Sequence, residues 1–246
     1  MLVDSPRISP EDRTVWNERH EADNALAKSR KMAELEERAL LAILGFLARG
    51  PAYAGVSWGK DSVVLAHLVW RCAPETLVAW FPAGKIENPD CAAIRDEFLS
   101  RFPVRYCEIE AAPTSDITLA FFGHDGAQKE FERVSRQLGQ RYLSGVRSEE
   151  SATRKRRMMQ HGESTENTCA PIGWWPTDYV FAYLAKYDLP THPVYAMTLG
   201  GTYDRNMLRV GTLGGYRGTG NGRREHERHY YRDEMIALGL GGDRTR

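Results

Sequence analysis

The stretch Tyr53-Ala-Gly-Val-Ser-Trp-Gly-Lys-Asp-Ser-Val-Val-Leu-Ala-His-Leu68 decides the fold of this chain. Its first four residues form a short apolar run, which predicts a buried β-strand. Apolar residues at 63, 64, 65 and 68 then follow helical spacing. A strand that turns directly into a helix leaves backbone N–H groups pointing the same way at the positive end of the helix dipole. The turn from Ser57 to Ser62 is therefore a candidate phosphate site.

The side chains of this turn suit an oxyanion. Ser57 and Ser62 carry hydroxyl donors, and Lys60 adds a mobile positive charge. Gly59 allows the backbone to come close to an anion, because it has no Cβ. The alternative interpretation is an ordinary strand–turn–helix corner without a ligand.

The turn lacks the Gly-x-x-x-x-Gly-Lys-Ser/Thr spacing of a Walker A loop. It resembles the Ser-Gly-Gly-x-Asp-Ser loop of the N-type ATP pyrophosphatases, the PP-loop superfamily, with Trp58 where that family usually has Gly. The form Ser-x-Gly-Lys-Asp-Ser is typical of its phosphoadenosine phosphosulfate (PAPS) reductase and ATP sulfurylase branch. This resemblance implies an adenine nucleotide whose phosphates contact six residues: Ser57, Trp58, Gly59, Lys60, Asp61 and Ser62.

A second element, Gly145-Val-Arg-Ser-Glu-Glu-Ser-Ala-Thr-Arg154, resembles the Gly-Ile-Arg-x-x-Glu-Ser-x-x-Arg element of the same family. The resemblance implies that Gly145, Arg147 and Glu150 contact the nucleotide and that Arg147 and Arg154 face its phosphate or sulfate end. A guanidinium can bind an oxyanion through two parallel hydrogen bonds and stays charged at any working pH. For Lys155 and Arg156, a solvated outer helix face is the favoured interpretation.

A third similarity covers two segments. Pro171 to Leu184 resembles the family's Pro-Leu-x-x-Trp-x-x-x-Asp-Val-Trp-x-Tyr-Ile, with Tyr179 where the family has Asp, and Leu189 to Tyr195 resembles its Leu-Pro-x-x-Pro-Leu-Tyr. Trp175 and Tyr183 match the family pattern and are predicted to lie in the core. His192 is open between a ligand contact and a hydrogen-bonded structural histidine.

Beyond the first strand and helix, further strands are predicted over 77–81, 104–109 and 141–146, and further helices over 89–102 and 127–138. This alternation predicts an α/β fold: a doubly wound parallel sheet with helices on both faces. The resemblance implies the same fold, that of the adenine nucleotide alpha hydrolases. We expect a helical N-terminal segment over 1–50, a nucleotide-binding domain over 51–195, and an irregular Gly/Arg-rich tail over 196–246. Within the first segment, residues 1–28 are predicted to be loosely ordered, with Trp16 as an anchor. An amphipathic helix follows and stops at Gly50-Pro51.

Composition narrows the functional class. The 33 basic and 33 acidic residues cancel, so no overall field attracts nucleic acid. No apolar run reaches the ~20 residues of a membrane helix, and the polar N-terminus does not resemble a secretory signal. The four cysteines are scattered, which predicts reduced thiols and a cytoplasmic protein. An oligomer is left open.

PAPS reductases use a cysteine in a C-terminal Glu-Cys-Gly-Leu-His motif, but this chain has no cysteine after Cys169. The favoured hypothesis is therefore an adenylyltransferase-type ATP pyrophosphatase. It would cleave ATP between the α and β phosphates and transfer AMP to an unknown acceptor, with sulfur metabolism as the expected context. Lys60, Arg147 and Arg154 would be catalytic, with ATP and Mg²⁺ as cofactors. Asp61 is a candidate Mg²⁺ or ribose contact, or a helix cap.

Two alternatives remain. One is a PAPS or adenylyl-sulfate reductase with an atypical thiol, for which Cys169 is the candidate near the Arg147–Arg154 element. The other is a non-catalytic module that binds nucleotides or nucleic acid. The tail mixes basic residues with aromatic rings, a combination that suits single-stranded nucleic acid, although a helix whose tyrosines pack inward is favoured. The tail residues concerned are Arg217, Arg223, Arg224, Arg228, Arg232, His226, His229, Tyr230 and Tyr231.

Overall fold

The structure is a computed structural model, which describes residues 1–82, 86–109, 132–214 and 223–240. Five parallel strands form its sheet, in the order β3-β2-β1-β4-β5. The strands are β1 (Tyr53–Val56), β2 (Leu77–Trp80), β3 (Tyr106–Glu108), β4 (Tyr142–Ser144) and β5 (Thr168–Cys169). The strands predicted over 53–56, 77–81, 104–109 and 141–146 are confirmed, whereas the two-residue β5 is too short to leave a sequence pattern.

The strand order reverses at β1. The chain first builds outward from β1 through β2 to β3, and then returns to place β4 on the other side of β1. In register, Tyr53 pairs with Leu77 on one side and with Tyr142 on the other. In open parallel sheets, ligands bind beyond the carboxyl ends of the strands at such a reversal. The segments that follow β1 and β4 are the two that carry the candidate phosphate residues.

Helices cover both faces of the sheet, as the doubly wound prediction requires. The described helices are α1 (Pro10–Ala27), α2 (Arg30–Leu47), α3 (Lys60–Cys72), α4 (Cys91–Arg101), α5 (residues 132–138), α6 (Ala152–His161), α7 (Thr177–Lys186), α8 (Arg223–Tyr230) and α9 (Arg232–Ala237). The beginning of the helix predicted over 127–138 lies outside the described residues.

Neighbouring residues along a strand belong to opposite layers of the core, one on each face of the sheet. Ala54 and Val56 belong to the large apolar cluster that contains helices α2, α3, α4 and α7. Tyr53 and Ala79 belong to a smaller cluster with Val134 of α5 on the opposite face. This period of two along the strands is what a sheet buried on both faces produces.

A buried carboxylate fastens three helices of the larger layer together. Glu36 of α2 accepts hydrogen bonds from Arg71 of α3 (2.8 Å) and from Lys186 (2.5 Å) and Tyr187 (2.7 Å) at the end of α7. The residue is only 5% exposed. Each of these partners offsets part of the cost of burying the charge.

The expectation of loose order over residues 1–28 is wrong for most of that segment. Residues Pro10–Ala27 form α1, an 18-residue helix. Its start is closed by a capping box, in which Ser9 and Asp12 each accept the other's backbone N–H. Trp16 does anchor the segment, at 8% exposure, and its ring meets Phe181 of α7 edge-on.

The tail is less irregular than the sequence suggested, because helices α8 and α9 lie within it. Tyr230 and Tyr231 are 7% and 1% exposed, which confirms the inward-packing interpretation. Arg217 lies outside the described residues. Across the parts of the chain that the structure covers, no helix combines the length and the apolar character that crossing a bilayer requires.

Candidate nucleotide site

The turn after β1 is held by its own serines. The backbone N–H of Ser57 donates to the hydroxyl of Ser62 (3.2 Å), and that hydroxyl donates to the carbonyl of Gly59 (3.0 Å). Ser57 is exposed, while Ser62 is only 6% exposed. The structure therefore leaves the Ser57 hydroxyl available to a ligand and uses the Ser62 hydroxyl to shape the turn.

Trp58 explains how this turn manages without the usual glycine. Its φ is +56°, in the left-handed region that most side chains avoid. Its indole is fully buried and packs against the rings of Trp80, Phe98 and Tyr106. Burial of so large a ring offsets a backbone strain of about 1–2 kcal/mol. The Trp58 side chain is thus part of the core, and only its main chain belongs to the candidate site.

Tyr195 lies at the start of α3, a role that sequence reasoning did not assign to it. Its hydroxyl accepts the backbone N–H of Lys60 (3.1 Å), and the residue is 2% exposed. A Cβ on Gly59 would lie 3.2 Å from that hydroxyl and 3.3 Å from Cβ of Val210. In this structure Gly59 therefore makes room for Tyr195 and Val210. The family-like Leu-Pro-x-x-Pro-Leu-Tyr segment was the signal that marked Tyr195.

Lys60, Asp61 and Arg147 form one buried chain of charges. The two carboxylate oxygens of Asp61 accept from Lys60 Nζ (2.9 Å) and from Arg147 Nε (2.5 Å). Lys60 and Arg147 are each 2% exposed. Burial lowers the pKa of Lys60, and nearby Arg147 lowers it further, although Asp61 acts in the opposite direction. The sequence predicted all three as site residues, and the structure brings them together.

Gly145 is required by packing at this junction. A Cβ at Gly145 would lie 2.9 Å from the backbone carbonyl carbon and oxygen of Asp61 and 3.1 Å from the backbone nitrogen of Ser62. Backbone atoms cannot move aside as a flexible side chain can. The glycine therefore lets the end of β4 lie directly against the first turn of α3.

The segment after Gly145 orients Arg147 from several sides. The Arg147 guanidinium donates to the Trp175 carbonyl (3.1 Å) and to the Thr177 hydroxyl (3.1 Å), while its backbone N–H donates to Glu150 (2.8 Å). Glu149 accepts both the guanidinium (3.3 Å) and the Thr177 N–H (2.8 Å). Glu149 and Thr177 were not predicted, because their roles depend on the contact between two distant segments.

Arg154 joins the site through a carboxylate. Its guanidinium pairs with Glu150, and its side chain is 41% exposed. Arg209, another unpredicted neighbour, donates to the Glu150 carbonyl (2.5 Å). Glu150 therefore serves to position Arg147 and Arg154 here, and Arg154 is the most accessible of the predicted catalytic cations.

The residues present do not fit a resident Mg²⁺ ion on Asp61. Both carboxylate oxygens already bind cations, as described above, and the neighbouring Glu149 and Glu150 are engaged by Arg147 and Arg154. Across the described ranges, no group of three or more His, Cys, Asp or Glu side chains is arranged to hold a metal. Asp61 in this structure is an ion-pair partner.

The thiols are placed differently from the prediction for Cys169. That residue is fully buried in β5, where its thiol lies 3.9 Å from the Ala42 carbonyl on α2, and burial raises its pKa to about 11. Cys91, at the start of α4, lies nearer the turn, with Sγ 3.7 Å from the Ser57 carbonyl. Burial, together with Glu87, raises the pKa of the Cys91 thiol well above its usual value.

His192 is fully buried beside Cys91, with Nε2 3.9 Å from the sulfur. Its Nδ1 accepts the backbone N–H of Val194 (3.1 Å). Burial and the nearby Arg7 lower the His192 pKa to about 3, so the ring is neutral at physiological pH. Of the two interpretations left open, the hydrogen-bonded structural histidine agrees with this environment.

The comparisons with known proteins agree with this architecture. A family model described as phosphoadenosine phosphosulfate reductase domain matches residues 52–221. Phosphoadenosine 5'-phosphosulfate reductases of Synechococcus sp. and Gloeobacter violaceus are 26% and 24% identical to the chain over 154 residues. These matches cover 56% of the chain, and 66% and 63% of the two relatives, so the chain spans just under two thirds of their length.

A crystal structure of phosphoadenylyl-sulfate reductase from Candida auris, in a phosphate complex, has a similar fold. The TM-score is 0.53 at 13% sequence identity, covering 77% of this chain and 98% of that one. At this identity the similarity describes the fold alone.

Proposed function

The chain belongs to the phosphoadenosine phosphosulfate reductase family, and from that premise we propose that it is an enzyme that binds the phosphate end of an adenine nucleotide at the start of α3. One observation carries the proposal. Lys60, Arg147 and Arg154 converge from two separate segments on the helix start beside the strand-order reversal. That reversal is where parallel α/β sheets bind ligands.

The charge chain provides the means of binding. Lys60 and Arg147 share one carboxylate, Asp61, so an entering oxyanion can take over part of their hydrogen bonding. Because both cations are buried, their attraction for an anion is stronger than it would be in water. A phosphate beside Lys60 would also favour the charged form of that amine, which burial disfavours.

The first finer proposal is cleavage of ATP between its α and β phosphates. An acceptor oxygen would attack the α phosphorus, and the bond to the β-phosphate oxygen would break, so that pyrophosphate leaves with the electron pair. Lys60 and the α3 start would hold the leaving pyrophosphate, while Arg147 and Arg154 would offset charge on the transferring phosphoryl group. Each of these groups is already oriented by protein contacts, which lowers the cost of forming the transition state.

A second candidate is a thiol-dependent reductase, favoured by the names of the curated relatives and by the position of Cys91 beside the Ser57 carbonyl. A Cys91 thiolate would attack the sulfate sulfur, the sulfur–oxygen bond to the nucleotide would break, and the nucleotide would leave. A second, external thiol would then release sulfite and form a disulfide. The raised pKa of the Cys91 thiol opposes this step, whereas the names of the curated relatives favour it.

Thermal unfolding with and without ligand tests nucleotide binding. ATP with Mg²⁺, or PAPS, at about a hundred times its dissociation constant should stabilise the protein by ~2.7 kcal/mol. Lys60→Ala should lose most of this stabilisation, whereas Lys28→Ala, which removes an exposed cation from another element, should keep it. Equal responses in both variants, or no response to any nucleotide in the wild type, would reject the proposed site.

A pair of cysteine variants separates the two reactions. If adenylyl transfer is correct, Cys91→Ser and Cys169→Ser should both retain pyrophosphate release from ATP. If the protein is a reductase working through Cys91, only Cys91→Ser should abolish sulfite release from PAPS. The Cys169→Ser variant is the matched control, because that thiol is equally buried but lies against α2.

A further inference from the structure

Helix α6 carries an uncompensated positive surface at the edge of the candidate site. Between Ser151 and Gly162 the sequence contains no acidic residue, while Arg154, Lys155, Arg156 and Arg157 are consecutive. All of these except Arg154 are exposed. Within the described residues, Arg154 forms the helix's ion pair, with Glu150, and the other three cations form none. The surface is therefore locally basic in a protein of zero net charge.

The arrangement of the three free cations constrains the shape of a partner. Consecutive helix residues are rotated by about 100° around the axis, so Lys155, Arg156 and Arg157 spread over about 200°. Met158 occupies the buried side, at 6% exposure. A partner that contacts all three cations must wrap around the helix, and a flexible anionic chain can do so more readily than a rigid one.

A partly exposed tryptophan follows, in sequence, a residue whose backbone packs on α6. A Cβ on Gly173 would lie 2.8 Å from the terminal methyl of Met158, so the backbone at 173 packs directly on the inner side of α6. The next residue, Trp174, is 36% exposed. An exposed ring and a cluster of cations in one region of the surface are the combination that binds the bases and phosphates of single strands.

From these contacts we propose that α6 and Trp174 form a docking surface for single-stranded nucleic acid, which presents its bases or ends to the nucleotide site. We call this set, Lys155, Arg156, Arg157 and Trp174, the α6 surface. Its adjacency to the site follows from Glu150, which pairs with Arg154 of the helix and accepts the Arg147 N–H. In supplying the class of acceptor, the inference rests on the proposed adenylyl transfer, but binding itself is independent of it.

A labelled 12-residue oligothymidylate is the probe, measured by fluorescence anisotropy against salt. Three phosphate contacts at about 0.7 released ions each give a slope of about −2, so affinity should fall roughly 20-fold between 50 and 200 mM salt. The wild-type slope needs no variant and so tests the charge contribution even if a variant unfolds. Absence of binding, or binding without salt dependence, would overturn the proposal.

The triple variant Lys155→Gln, Arg156→Gln, Arg157→Gln should lose at least tenfold in affinity at 50 mM salt, and its slope should approach zero. A matched control removes three exposed cations elsewhere, at the end of α1, in α2 and in α5. Its substitutions are Lys28→Gln, Arg30→Gln and Arg136→Gln. It should change affinity less than threefold. An equal loss in the control would show non-specific attraction and would overturn the α6 surface.

Trp174→Ala separates nucleic acid from an acidic protein partner. It should weaken oligothymidylate binding about tenfold while leaving the salt slope unchanged, because stacking adds no counterion release. Poly-glutamate of matched charge should bind more weakly than the oligonucleotide and should not respond to Trp174→Ala. Equal binding of poly-glutamate would instead assign the surface to acidic peptides. Because no ATP is present, these results do not depend on the nucleotide-binding experiment.

Discussion

Helices α1 and α3 begin in opposite ways. At the start of α1, the Ser9 hydroxyl accepts the Asp12 N–H (3.1 Å), and the Asp12 carboxylate accepts the Ser9 N–H (3.4 Å). At the start of α3, Gly59 has no side chain to serve as a cap, and the Lys60 N–H is met by Tyr195 from 135 positions away. The start of α1, which we call the closed start, satisfies its amides locally. The start of α3, which we call the open start, relies on a remote hydroxyl, and we propose that an oxyanion takes the place of that hydroxyl.

The difference shows that a helix start can either hold distant parts of the fold together or gather charged side chains. Asp12 uses its second oxygen to accept the N–H groups of Thr198 (2.9 Å) and Gly200 (3.0 Å), so the closed start also fastens a distant loop. The start of α3 gathers cations instead, with Lys60 and Arg147 on one carboxylate. The contacts at the first start stabilise the fold, whereas the second start is the one at which we propose ligand binding.

The largest expected loss of stability comes from a substitution that disrupts the packing around the open start. Gly145→Ala would place a methyl group 2.9 Å from the Asp61 backbone and should destabilise the protein by about 3 kcal/mol or more. Gly45→Ala is the control, because nothing lies within 4 Å of its added Cβ inside helix α2. That control should gain about 0.5–1 kcal/mol in urea unfolding. Similar stabilities for both variants would contradict the packing role of Gly145.

The second-largest loss of stability is expected from replacing Asp12, the shared acceptor at the closed start. Asp12→Ala leaves the Thr198 and Gly200 N–H groups and the Tyr230 hydroxyl without their acceptor, and should cost about 2–3 kcal/mol. Denaturant unfolding measures this loss. The increase in unfolding temperature caused by ATP should persist in this variant, since Asp12 lies outside the proposed nucleotide site. Loss of the ATP response in a folded Asp12→Ala protein would show that the two starts are coupled.

A smaller effect is expected from lowering the pH, which should reduce the free energy of unfolding through Asp12. Burial by itself would raise the pKa of Asp12, but the hydrogen bonds from Gly200, Tyr230 and Thr198 outweigh it, so the pKa lies below its usual 3.8. A carboxylate with a lowered folded pKa contributes stability that is complete above the unfolded pKa and is lost as pH falls through the folded value. Unfolding free energy should therefore drop below about pH 4, and Asp12→Asn should flatten that part of the profile relative to wild type.

The smallest change sharpens the contrast between the two starts. Tyr195→Phe removes the acceptor of the Lys60 N–H and should cost about 1 kcal/mol, and Ser9→Ala should cost a similar amount at the closed start. The two variants should differ in sulfate. Sulfate should recover more stability in Tyr195→Phe than in Ser9→Ala, because only the open start can accept the anion in place of the lost group. Equal recovery would contradict the replacement of Tyr195 by an oxyanion.

Local pattern accounts for what the sequence could predict. The β1 apolar run, the helical spacing after it and the Ser57–Ser62 turn are all features of neighbouring residues, so the strand, the helix and the turn at their junction could be predicted from them. The same holds for the segment containing Arg147. Family resemblance contributed the expectation that the two segments meet.

What escaped prediction depends on contacts across the fold. The Tyr195 hydroxyl, the Glu149–Thr177 pair and the reason for glycine at 145 all arise from segments far apart in sequence. Helix α1 is a different case, because its Ser9-Pro10-Glu11-Asp12 start carries a readable capping box. The composition of α1 is so polar that no clear apolar pattern at helical spacing marks the helix.

The docking of α1 sets an order of events during synthesis. Trp16 of α1 packs on Phe181, and Asp23 of α1 pairs with the buried Arg205. At about 5–20 residues per second, a ribosome reaches position 181 about 8 to 33 seconds after position 16. Throughout that interval the tryptophan lacks its native contact with Phe181. Helix α1 therefore leaves the ribosome before the residues on which it packs have been made.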